Sequence, residues 1–259
     1  MIGILRSEWS GNTKGGNTMV WIAVGLISVL GGLIQTVTGF GAVVTLMLVL
    51  PYFFPIVDAS TLALTINMAL CVALCWQYRA HLDLRAALAP TAVFSLVHLL
   101  VLQVVDQVDT GRLEVVFAVF LIVLSLYYLL AAKKVQVAPK SIIGIVCGAF
   151  SGTTSAFFAI GGPPMAIYFL AKAKSYFSYV ACMQFLFVVT TGVSLVGRAV
   201  GGLYQRSFLH FAVLGTVGML LGMQIGKRIC DRLNAERMRQ IAYLFVGISG
   251  VMFLVQSLG

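Results

Sequence analysis

The stretch SIIGIVCGAFSGTTSAFFAIGGPPMAIYFLA, Ser141–Ala171, decides how the chain is read. It is apolar enough for a bilayer, yet Gly152, Gly161, Gly162, Pro163 and Pro164 interrupt it with the residues least suited to a continuous helix. Each proline lacks an N–H, and the turn before it leaves carbonyls without helical partners. In hydrocarbon an unsatisfied backbone group is costly, so such a break has to be buried in protein or line a wet cavity. A helix start at Gly-Gly-Pro-Pro is also expected to aim free N–H groups into that cavity.

A second interruption lies in the first half. VLGGLIQTVTGFGAVVTLMLVLPYFFP, Val29–Pro55, carries Gly31-Gly32, then Gln35, Thr36 and Thr38, then Gly39-Phe40-Gly41. A kink that only helps packing is the competing reading for a single break, because Gly and Pro are common in transmembrane helices. Two glycine-broken segments in matching places point instead to a duplicated transporter with its substrate held between the breaks.

Composition sets the class. With 60% hydrophobic residues, 10% charged residues and a mean hydropathy of +1.01, the 259-residue chain lies outside the range of soluble domains. The fold class is an all-α integral membrane protein, a polytopic bundle of about 8–10 segments built from two inverted repeats with broken helices. Residues 1–18 read as a flexible tail, 19–132 as the first repeat, 133–140 as a linker and 141–259 as the second repeat.

The apolar segments are Val20–Val37, Ala42–Phe54, Ala59–Gln77, Ala86–Val105 and Val115–Ala132, then Ser141–Phe158, Pro163–Ala171, Tyr176–Val196, Phe208–Ile225 and Ile241–Leu258. The second and seventh are roughly 20 and 14 Å long as helix, too short for a hydrocarbon core of about 30 Å. Each is expected to form a broken hairpin or half-helix with the segment before it. Offsetting the halves by 117 sets Asn67 over Gln184, and by 121 sets Arg85 over Arg206.

The net charge of +9 does not mark a nucleic-acid binder, because the 17 Lys and Arg are scattered between apolar runs. They read as topology signals. If segments one and two together return the chain to its starting face, twelve basic residues share one side and five, including Arg198, the other. That bias puts both termini outside the cytoplasm and makes the repeats inverted.

Neither broken segment contains a charged side chain, and all eight acidic residues fall in loops or at segment ends. A cation pump or carboxylate relay wants an Asp or Glu at mid-membrane, so an anion route is favoured. Hydroxyls, amides and bare N–H groups suit an anion whose charge is spread over several oxygens. The candidate substrate-binding residues are Thr38, Gly39, Phe40, Gly41, Asn67, Ser151, Gly152, Thr153, Gly161, Gly162, Pro163 and Gln184. Serine and threonine bonding back to their own helix, and Asn67 and Gln184 acting as interhelical glue, are the plainer alternatives.

His98 is the one histidine deep in a span, with proton coupling as its functional reading and a neutral hydrogen bond as the structural one. Arg198 either attracts anions at a vestibule or snorkels to the interface. No catalytic residue, metal site or cofactor is expected. The five cysteines, at 71, 75, 147, 182 and 230, do not repeat between the halves, which counts against a membrane thiol or electron carrier. A membrane enzyme lacks the acid or nucleophile to accompany His98.

At these residues the chain resembles the sulfite exporter TauE/SafE family, also called the 4-toluene sulfonate uptake permease family. The similarity rests on Gly32, Thr38-Gly39-Phe40-Gly41, Gly148, Ser151-Gly152, Ile160-Gly161-Gly162-Pro163-Pro164 and Tyr168, and covers nearly everything from Val20 to Leu258. It implies transport of a sulfur-containing anion such as sulfite or a sulfonate across a bacterial inner membrane. The expected partners are a small anionic solute, the lipid bilayer and a coupling ion, proton or sodium, with no nucleic acid. Oligomeric state and direction are left open, and a passive anion channel remains the alternative to a carrier.

Overall fold

The computed structural model describes residues 14–103, 140–158, 161–200 and 209–233, position 202, and scattered helical positions within 119–126 and 236–255. The tail 1–13, most of the expected fifth and tenth segments, residues 133–139 of the linker, and Arg206 lie outside the described residues.

The described elements are α1 (Lys14–Thr38), α2 (Ala42–Met47), α3 (Ile56–Gln77), α4 (Leu84–Leu102), α5 (Ser141–Phe158), α6 (Gly162–Lys172), α7 (Tyr176–Val200) and α8 (Leu209–Cys230), with single 3₁₀ turns at Leu50–Tyr52 and Arg79–His81. Five of these helices are long and apolar enough to cross a membrane, while α2 with its 3₁₀ turn and α5 are shorter apolar elements. The chain is a polytopic all-helical membrane protein.

Several boundaries differ from the sequence reading for local reasons. The helix of α1 starts at Lys14, inside the expected tail 1–18. The expected segment Ala42–Phe54 is not one helix, since α2 stops at Met47 and Pro51 seats a separate 3₁₀ turn. Helix α7 runs on to Val200, so Arg198 lies within it rather than beyond it. Helix α8 likewise carries Lys227 and Arg228 in its last turn, where cations meet the negative end of the helix dipole.

Packing reveals the duplication. Helix α1 lies along α8 and α4 along α5; α3 lies against α7; α3 also touches α8 as α4 touches α7; and α2 and α6 each join their neighbours on both sides. Exchanging α1–α4 for α5–α8 maps these principal contacts onto one another. The two close pairs are allowed by glycine. A Cβ on Gly148 or Gly152 would lie 2.6 Å from the carbonyl oxygen of Pro90 or Phe94, and one on Gly222 would strike that of Val29.

Equivalent helices run in opposite senses. Tyr78, just past α3, stacks on Phe177 in the first turn of α7, with ring centroids 5.3 Å apart. At the other end Arg198 of α7 reaches back to Val57 and Thr61 in the first turns of α3. Trp21 near the start of α1 and Phe54 after the 3₁₀ turn both pack on Phe211 at the start of α8. The chain therefore returns to its starting face before α3, as the basic-residue bias requires.

The register of the repeat is not the one expected. Ala42 and Gly162 open α2 and α6, and Ile56 and Tyr176 open α3 and α7, a common offset of 120 residues. At that offset Asn67 falls opposite Phe187, not Gln184. Helices α4 and α8 begin at Leu84 and Leu209, so the 121-residue alignment of these helices is also displaced.

Candidate functional site

Helix α1 ends at Thr38 because the next turn leaves the right-handed region. Gly39 has φ 87° and Gly41 φ 106°, conformations open to glycine at little cost. A Cβ on Gly39 would also lie 2.7 Å from the Tyr179 ring. Ending a helix inside a bundle strands its last carbonyls, and those carbonyls need donors from elsewhere.

The donors come from the second repeat. Tyr176 donates its hydroxyl to the Val37 carbonyl, Tyr179 to that of Thr38 at 2.5 Å, and Gln184 its amide to that of Gly39 at 2.8 Å. The Cys230 thiol of α8 lies 3.7 Å from the Thr36 carbonyl. Four consecutive carbonyls are thus met by four side chains from the opposite half.

Gln35 completes this clamp. Its Oε1 accepts from the Ala42 N–H at 3.2 Å, satisfying the first turn of α2, while its Nε2 donates to Gln184 Oε1 at 3.0 Å and approaches Cys71 Sγ at 3.3 Å. Gln35 and Gln184 are almost wholly buried. The Thr38 hydroxyl stays local, between the carbonyls of Ile34 at 2.8 Å and Phe40 at 2.6 Å.

The second break separates α5 from α6. Pro163 and Pro164 occupy the opening turn of α6, where a missing N–H costs nothing because those groups have no helical acceptor. They remove two of the four free N–H groups of this helix start, leaving those of Gly161 and Gly162 beside the cavity. Aromatic rings cover the bare backbone. A Cβ on Gly161 would meet the Phe94 ring at 2.5 Å, and one on Gly162 would meet Phe40 at 3.2 Å. Phe40 of the first break therefore rests on Gly162 of the second.

Between the breaks lies a cavity of about 70 Å³. One water needs only about 10–15 Å³ by this measure, so several waters or one small polyatomic ion fit. Its polar lining is Gln35, Asn67, Ser155, Thr190, Thr191 and Ser194, and its apolar lining includes Phe40, Phe94 and Phe187. Among the described residues every lining side chain is uncharged. Asn67 is 3% exposed and its Oδ1 has no hydrogen-bond partner in the protein, so an unused acceptor is held at the wall.

Of the twelve residues expected at the site, Phe40, Gly41, Asn67, Gly161, Gly162 and Pro163 line this cavity. The other six are placed otherwise. Gly39, Thr38 and Gln184 hold the first break together through the bonds above. Thr153 turns its hydroxyl onto the Ala149 carbonyl at 3.0 Å, the back-bonding that competes with ligand contact. Gly152 lets α5 approach α4, and Ser151 is fully buried with its hydroxyl unpartnered.

Sequence reading missed Phe187, Thr190, Thr191 and Ser194. They sit on one face of α7 at helical spacing, a signal that resembles an ordinary packing stripe until the cavity beside it is known. His98 contacts Ser194 Oγ through Nε2 at 3.4 Å and lies beside Phe94. The cysteines are all free thiols, and among the described residues no cluster of three or more His, Cys, Asp or Glu could hold a metal.

A bundle of apolar membrane-length helices, with two interrupted helices meeting at a buried polar cavity, defines the class as a polytopic helical membrane protein. The model of the sulfite exporter TauE/SafE family matches residues 24–253, and the chain belongs to that family. Membership makes it a multi-pass membrane protein of a sulfite and anion exporter family. No curated protein and no solved structure matches the chain.

Proposed function

We propose that the protein is a secondary transporter that moves a small sulfur oxyanion, sulfite or a sulfonate, by alternating access between its two repeats. The observation that carries this reading is the cavity between the breaks. Its amide and hydroxyl lining, with no acidic group among the described residues, suits an anion with delocalised charge rather than a cation that would need carboxylates. Weak neutral contacts also permit release.

The antiparallel relation of α3 and α7 supports alternating access, since inverted halves can exchange conformations about the cavity. The clamp on the carbonyls of Val37, Thr38 and Gly39 closes one side of it. The basic face at the ends of α3, α6 and α8 is the cytoplasmic one in this reading, and the membrane is the bacterial inner membrane. A proton or sodium ion is the candidate coupling ion. The candidates for contact with the anion are the Asn67 amide N–H, the Thr191 hydroxyl and the bare backbone at Gly41, Gly161 and Gly162, since the hydroxyls of Thr190 and Ser194 donate to carbonyls of their own helix.

Purified protein in proteoliposomes tests the proposal. Sulfite and sulfonates should move saturably, faster than carboxylates of similar size, and the rate should respond to an imposed proton or sodium gradient. Flux that neither saturates nor responds to either gradient would favour a passive channel, and no anion flux at all would reject transport by this cavity.

A further inference from the structure

Read along α7, the side chains fall into three layers. Tyr176, Tyr179 and Gln184 seal the first break; Phe187, Thr190, Thr191 and Ser194 line the cavity; Arg198 follows one turn beyond Ser194, about 6 Å further along the axis. The positions 187, 190, 191, 194 and 198 share one helical face. On α3 the order is the same, with Asn67 and Leu64 at the cavity and Thr61 one turn outside it. The clamp thus stands on one side of the cavity and Arg198 on the other.

Arg198 is held there by a single nitrogen. Its Nη1 donates to Thr61 Oγ1 at 2.7 Å and to the Val57 carbonyl at 3.2 Å, both neutral oxygens. A guanidinium has five N–H donors in a planar fork that matches an oxyanion bidentately, and these two bonds leave Nη2 and Nε for such a partner. Half-buried at the end of a polar lane, it carries a positive charge where the neutral lining carries none.

We propose that Arg198 is the outer receiving residue for the oxyanion, taking the solute from water on the face where α7 ends before it passes to the Ser194–Asn67 cavity. This rests on the transport reading above and extends it by naming the residue that selects for negative charge. Arg198 gives attraction at the mouth, where solvent screens it enough to permit release, and the uncharged cavity avoids a permanent ion pair.

The experiment measures sulfite uptake in proteoliposomes, with sulfite added to the face where α7 ends. Arg198→Gln should raise the half-saturating concentration about ten-fold or more with little change in maximal rate, and Arg198→Lys, which keeps the charge but loses the planar fork, should fall between the two. Wild-type half-saturation should also rise with ionic strength, and this dependence should vanish in Arg198→Gln. Thr61→Val removes the holding bond but not the charge, and should leave half-saturation within about two-fold.

If Arg198 only pins α7 to α3, Arg198→Gln and Thr61→Val will lower the melting temperature alike while neither moves half-saturation, and the inference fails. A salt-independent wild-type half-saturation also overturns it, even should Arg198→Gln not insert. A wild type that carries no anion overturns the transport reading itself; a transporting wild type with an unaltered Arg198→Gln overturns only the role given to Arg198.

Discussion

The Gln184 side-chain amide donates to the Gly39 carbonyl at 2.8 Å, joining positions 145 residues apart and tying the broken end of α1 to the third helix of the other repeat. Gln184 is fully buried and also accepts from Gln35, so one side chain serves both the end of α1 and, through Gln35, the start of α2. The break is stable because the opposite repeat supplies what a continuous helix would have supplied internally.

Gln184→Ala should therefore destabilise the protein more than removal of an ordinary polar side chain. It strands the Gly39 carbonyl and the Gln35 amide together, and each buried group left without a partner costs about 1–3 kcal/mol. Thermal unfolding in detergent checks this. An unchanged melting temperature would mean that other groups satisfy the break.

Tyr179→Phe deletes one hydroxyl and keeps the ring. The Thr38 carbonyl loses its 2.5 Å donor, and the expected loss is again about 1–3 kcal/mol with insertion intact. A double variant, Tyr176→Phe with Tyr179→Phe, should show coupling rather than simple addition, since both act on adjacent carbonyls. A double-mutant cycle on melting curves measures that difference.

Two glycines make opposite predictions. Gly39→Ala forces a side chain into a φ of 87° and against the Tyr179 ring, so it should cost about 1–3 kcal/mol before the clash is counted. Gly197→Ala, where a Cβ meets nothing within 4 Å on the helix α7, should be neutral or stabilising by up to about 1 kcal/mol. Equal melting temperatures for the two would contradict the account of the break.

A variant with all five cysteines replaced should retain transport. The thiols are free, and Cys71 and Cys230 make only weak sulfur contacts with Gln35 and the Thr36 carbonyl. Loss of flux in a correctly inserted cysteine-free protein would revive the thiol-carrier reading.

The breaks were legible in the sequence because Gly39, Gly41, Pro163 and Pro164 are the residues a continuous apolar helix does not tolerate. The return of the chain to its starting face was legible too, through the lopsided distribution of Lys and Arg. The clamp was not, since nothing local to Tyr176 or Tyr179 shows that their hydroxyls reach carbonyls about 140 residues away. Thr190 and Ser194 were hidden for a different reason: both bond back to carbonyls of their own helix, at 2.9 and 3.0 Å, as threonine and serine do in any apolar helix. The repeat register was misjudged by three residues in α3 because packing residues are interchangeable, and matching apolar letters sets no register.

The most direct test strips polar groups from the cavity wall and leaves every clamp residue in place. Asn67→Leu replaces an amide whose Oδ1 has no partner with a hydrocarbon side chain of similar size, and Thr190→Val removes a hydroxyl from the facing helix. Sulfite flux into proteoliposomes should be saturable for the wild type and nearly abolished in the double variant, with the melting temperature retained. Flux in the double variant equal to that of the wild type would show that the anion crosses somewhere other than between the two broken helices.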